Sequence, residues 1–155
     1  MPKQLKELLW YDANQNIAYL TYSGADYLLG IMQKNDPEIR VQNEANLDNL
    51  LEIIKSRYNN KSTREEMMAC KAAHLLYRLA WQSHAFVNGN KRMAFLLTTA
   101  FLFVNGYEVP PGALVPEPDS ELARFILELA GGKVSLNKTI KWMRKNMRKG
   151  TMPWA

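Results

Sequence analysis

The segment MAFLLTTAFLFV, Met93–Val104, carries no charge and is apolar nearly all round a helical wheel, broken only by Thr98 and Thr99. A surface helix has an apolar stripe and a polar face, so a helix without the polar face must be enclosed by other elements. Its 12 residues fall well short of the roughly 20 needed to cross a bilayer. Asn105 and Gly106 follow as a C-cap signal. The expectation is a buried central helix, the post around which a small α domain packs.

The flanking segments read as what surrounds that post. NIAYLTY, from Asn16 to Tyr22, is a short β-prone stretch. Ser23 and Asp26 form a capping-box pair ahead of GADYLLGIMQK, which carries Tyr27, Leu28, Ile31 and Met32 on one side and stops at Pro37. A polar loop follows, Asn35 to Asn46. From Leu47, the residues Leu47, Leu50, Leu51 and Ile54 recur at helical spacing. Thr63 and Glu66 form another capping box, opening a helix to about Ser83. Its stripe of Ala69, Ala72, Ala73, Leu76 and Ala80 lets a neighbouring helix approach closely. PPGALVPEPD is a proline-rich loop, and Asp119 or Ser120 starts the helix SELARFILELA, stopped by Gly131 and Gly132. Ser135 caps LNKTIKWMRKNMRK, with Leu136, Ile140 and Met143 inward. The fold class expected is all-α, about six helices in one compact domain over residues 1–155, with at most a small strand or hairpin near the N-terminus.

Between the alanine-rich helix and the apolar one stands HAFVNGNKR, His84 to Arg92. A helix N-terminus exposes unpaired N–H groups and positive dipole, so it attracts anions. Gly89 lets the backbone approach a bound group, and Asn88 and Asn90 tolerate left-handed geometry. Lys91 and Arg92 oppose the dipole where they stand, and something negative nearby would account for them; a phosphate fits. His84 offers an imidazole able to take a proton from a hydroxyl at neutral pH. Phe86 is expected to turn inward and anchor the loop. A polar turn with a capping histidine and two solvated cations explains the same spacing about as well. His74 and Cys70, in mid-helix, read as structural, and no His/Cys/Asp/Glu cluster has metal-ligand spacing.

HAFVNGNKR resembles the signature of the Fic/Doc family, H-x-F-x-[D/E]-G-N-[G/K]-R. With Lys before the final Arg it is similar to the Doc (death-on-curing) branch, the toxins of bacterial toxin–antitoxin pairs. AHLLYRLAWQSHAF before the motif, and FLFVNGYEV and GGKVSLNKTIKWMRK after it, resemble the same layout. The resemblance covers roughly Ala18 to Met147 and leaves residues 1–16 as an N-terminal extension. It implies ATP or another nucleoside triphosphate as co-substrate with Mg²⁺, and His84 as the base that deprotonates a target hydroxyl. It further implies Gly89, Asn90, Lys91 and Arg92 as phosphate-binding residues, and residues 35–46 as a flap where the target strand docks. Lys91 in place of the Gly of AMP-transferring members implies transfer of the γ-phosphate, with elongation factor Tu as the family's known target and translation as the process inhibited. A Phd-like antitoxin is the implied partner. Asn88 departs from the pattern: the family carries Asp or Glu there as the metal ligand, and an amide lacks the charge that a hard cation favours. AMP transfer and a catalytically weak nucleotide- or partner-binding protein are the alternatives.

Charge and cysteine content narrow the setting. Net charge is +5, much of the basic surplus lying in Lys138, Lys141, Arg144, Lys145, Arg148 and Lys149. With no DNA-reading motif beside it, that surplus reads as a solvated face, which argues against a nucleic-acid partner. The single Cys70 forms no internal disulfide, and the absence of a secretory signal or membrane span points to the cytoplasm.

Overall fold

In the computed structural model, which describes residues 6–109 and 121–153, the apolar run lies within α4 (Asn90–Val104). Met93 through Thr98, Phe101 and Leu102 are buried, whereas Phe103 is 57% exposed, so the enclosure is open on one side. Round this post stand α1 (Tyr22–Gln33), α3 (Arg64–Tyr77) and α5 (Glu121–Ala130). α2 (Glu44–Ser56) and α6 (Leu136–Asn146) lean on α3. The fold is the helical domain expected, with six α-helices among the described residues. The proline-rich loop and the start of α5 at Asp119 or Ser120 lie outside them.

Three small antiparallel pairs accompany the helices. β1 (Leu9–Asp12) and β2 (Ile17–Leu20) form a hairpin with Leu9 opposite Leu20 and Asp12 opposite Ile17. Every residue of β2 is buried, and Leu9 joins the same core. Beyond the hairpin, β3 (Arg40–Val41) pairs with β4 (Phe86–Val87), and β5 (Tyr107–Glu108) with β6 (Arg148–Lys149). Two-residue pairs of this kind have almost no period for a sequence to display.

Local chemistry differs from expectation at several helix ends. Thr21, not Ser23, caps α1: its Oγ1 accepts from the Gly24 N–H at 3.0 Å and donates to the Glu7 carbonyl at 2.7 Å, while Ser23 and Asp26 are exposed. A side chain at Gly24 would place Cβ 2.2 Å from the Leu8 carbonyl oxygen, so the hairpin backbone meets the helix at its small residues. Gly24, Ala25 and Leu29 are buried and Leu28 and Met32 of the expected apolar face pack against the core, whereas Tyr27 and Ile31 lie outside, which corrects half of that face. The polar loop is shorter than expected, since it contains β3 and α2 begins at Glu44, capped by Asn43. The Thr63 hydroxyl accepts from the Glu66 N–H, but the Glu66 carboxylate reaches Arg144 on α6 instead of returning to the cap. α6 ends at Asn146, so Arg148 and Lys149 belong to β6 and not to the last helix.

Candidate active site at the head of α4

α3 does not run on as an α-helix to Ser83. After Tyr77 it widens into one π-helical turn, Arg78–Gln82, a feature frequent at functional sites. The turn closes with the Ser83 N–H donating to the Arg78 carbonyl at 2.8 Å. His84 follows with φ +46°, a left-handed conformation that costs a non-glycine residue about 1–2 kcal/mol. Its neighbours hold it there. Asn46 Nδ2 donates to the Ser83 carbonyl at 2.7 Å, and the Ala85 carbonyl accepts from Gln42 N–H at 2.7 Å and Asn43 N–H at 3.2 Å. His84 is thus an exposed ring on a backbone stitched on both sides to the start of α2.

The second half of the motif is braced from within. Phe86 is buried, and its N–H donates to Asn90 Oδ1 at 3.0 Å while its carbonyl accepts from Asn90 Nδ2 at 2.8 Å. Asn90 therefore spends its side chain on the loop backbone. Asn88, exposed, has φ +51°, the left-handed geometry that asparagine tolerates, whereas Asn90 begins the helix. Gly89 has an extended φ of −174°, which any residue adopts. It is required to be glycine by a close approach: a Cβ there would lie 2.8 Å from the Ile39 side chain, which is itself fully buried.

Thr21, Asn43, Thr63 and Ser135 each cap a helix through a side-chain oxygen, whereas α4 has no side-chain cap and no acid in its first turn. The first intrahelical bond of α4 is Met93 N–H to the Gly89 carbonyl at 2.8 Å. The earlier N–H groups of the turn have no intrahelical acceptor. Lys91 and Arg92 stand there, both exposed. Lys91 makes no ion pair among the described residues. Arg92 makes two contacts: NH1 to Asp36 Oδ2 at 2.6 Å and NH2 to the Asn88 carbonyl at 2.9 Å. The negative group that the sequence required near these cations is, in part, the protein's own. Asp36, Ile39 and Asn46 were missed by motif reading. The available signal was an acid just beyond the C-terminus of α1, where the dipole disfavours it, answering cations at the N-terminus of α4.

These residues fit a protein-held divalent metal poorly. The motif offers one neutral amide oxygen at Asn88, and no group of three His, Cys, Asp or Glu side chains among the described residues could hold a metal. What the site does offer is a proton acceptor and an uncapped, cationic helix terminus on one rigid loop. That arrangement is chemically suited to an anion beside a proton acceptor. The family model described as Fic/DOC matches residues 21–102, just over half of the chain, and the protein belongs to that family. Proteins of this family are typically transferases that act on other proteins and use a nucleotide co-substrate with a metal ion. No curated protein and no solved structure matches the chain significantly. No helix among the described residues is long and apolar enough to cross a membrane.

Proposed function

We propose that the protein is a Doc-like toxin that transfers the γ-phosphate of ATP to a hydroxyl side chain of a target protein. Elongation factor Tu is the target that the family resemblance suggests, with inhibition of translation in the cytoplasm as the result and a Phd-like antitoxin as the neutralising partner. The observation that carries the reading is the pairing, on one braced loop, of an exposed His84 with the uncapped terminus of α4 and its Lys91 and Arg92. In this reaction a His84 ring nitrogen takes the hydroxyl proton as the oxygen attacks Pγ. The new O–Pγ bond forms as the bond from Pγ to the β,γ-bridging oxygen breaks, ADP leaves, and the proton passes from the ring to water. Gly89, Asn90, Lys91 and Arg92 neutralise the phosphate chain through backbone N–H groups and two cations. If Mg²⁺ accompanies the nucleotide, phosphate and water would supply most of its ligands and Asn88 Oδ1 would offer a neutral one, and the ion would supply charge neutralisation on the phosphates.

Asn88 favours a second reading, a nucleotide- or partner-binding protein with little catalysis, because the carboxylate expected there is missing. Incubation of the chain with elongation factor Tu, Mg²⁺ and ATP labelled at the γ or the α position separates the possibilities. Transfer of γ label, reduced by about 10²–10⁴-fold in His84→Ala, is the expected result. Transfer of α label would mean AMP transfer instead, and Lys91→Gly is the change expected to favour it. No label in either experiment, even from Asn88→Asp, would leave the binding reading.

A further inference from the structure

We propose that Asp36 is an internal anion which occupies Arg92 and competes with phosphate for it, so that this carboxylate sets the affinity of the site for a phosphate chain. The inference rests on the reading of Arg92 as a phosphate-binding residue. Asp36 Oδ2 lies 2.6 Å from Arg92 NH1, and the guanidinium's NH2 is turned to the Asn88 carbonyl at 2.9 Å. The same two groups are each misplaced against their own helix. Asp36 lies just past the C-cap Lys34 of α1, and Arg92 in the first turn of α4. Each would be destabilising alone; together they offset one another.

The carboxylate is also carried on a segment fixed to the motif. Asp36 N–H donates to the Met32 carbonyl at 3.1 Å, and its own carbonyl accepts from Ile39 N–H at 3.1 Å. Gln33 Nε2 holds the Ile39 carbonyl at 2.7 Å, the Ile39 side chain closes on Gly89, and Arg40 and Val41 pair with Val87 and Phe86. Backbone and apolar contacts thus hold the segment in place whether or not the ion pair is made. Asp36 is free to rotate away about its side-chain bonds while the segment stays docked. The two side chains keep 43% and 31% of their surface in water, so the pair is one that a multiply charged phosphate chain can displace.

The test is calorimetric titration of ATP with Mg²⁺ into wild type, Asp36→Asn, Glu38→Gln, Arg92→Gln and the double variant Asp36→Asn/Arg92→Gln. Asp36→Asn is expected to tighten binding by about two- to fivefold, the range of a half-exposed ion pair. Glu38→Gln removes the same charge two residues on, from a side chain with no ion pair among the described residues, and is expected to change nothing. The gain should vanish on the Arg92→Gln background. Equal or weaker binding by Asp36→Asn, with wild type binding measurably, overturns the proposal and leaves the phosphate site standing. A gain equally large in Glu38→Gln, or retained without Arg92, overturns it as a specific contact. Failure of both wild type and Asp36→Asn to bind ATP sinks the phosphate-site reading and this inference with it.

Discussion

His74 sits inside α3, almost fully buried, with Nδ1 2.7 Å from the Tyr58 hydroxyl and the two rings edge to face. Burial first, then the charges of Arg78 and Arg57, push its pKa down to about 4. The ring is therefore neutral at pH 7 and shares a hydrogen bond with the Tyr58 hydroxyl. An unfolded chain binds the proton near pH 6.5, so between that pH and about 4 the unfolded state holds more protons and stability falls as pH falls. From pH 6.5 to 5, above the range of ordinary carboxylates, the loss attributable to this residue is about 2 kcal/mol. Urea unfolding at those two pH values should show a smaller drop in His74→Gln than in wild type. The structural role of His74 was legible in the sequence, since a lone histidine amid alanines and leucines faces a core. The partner of Arg92 was not, because no local pattern links Asp36 to it.

Among the elements, α2 shows how a helix end can be satisfied from outside its own sequence. Lys71 of α3 is completely buried, and its Nζ donates to the carbonyls of Ile54 and Arg57 and to Asn59 Oδ1, each at 2.7 Å. Burial pushes its ammonium down to about 8, still charged at pH 7, and the charge lies where the dipole of α2 favours a cation. Lys71→Met would fill the space but leave those oxygens without a donor. A loss of about 3 kcal/mol in urea unfolding is expected. The helices themselves were largely readable, because the apolar period and the Thr63 and Ser135 caps act within one or two turns, although the Asn43 cap of α2 lay hidden in a stretch that reads as a polar loop. The π-helical turn ahead of His84 was not: no residue type encodes it, and α4 and α5 pack directly against it.

At the scale of the whole molecule, Asn105 joins the end of α4 to β2 near the N-terminus. Its Oδ1 accepts from Ala18 N–H at 2.8 Å, and its Nδ2 donates to the carbonyls of Ala18 and Phe101, each at 2.8 Å. Arg64 adds to the joint, reaching the carbonyls of Asn16 and Asn105 and the Tyr107 hydroxyl. The N-terminal hairpin is thereby clamped to the far end of α4 from the HAFVNGNKR loop. Asn105→Ala should cost about 2–4 kcal/mol, since the Ala18 N–H and carbonyl lose their partner in the core. Faster hydrogen exchange at the Ala18 amide would locate the loss. Sequence by itself determined the helical class, the central apolar post and the HAFVNGNKR motif that marks the family, all of which depend on residues within a few positions of one another. Tertiary structure alone decided that Asn105 is a clamp as well as a cap, that Lys71 is buried, and that Arg92 faces Asp36. Those partners are far apart along the chain and become neighbours only when the core closes.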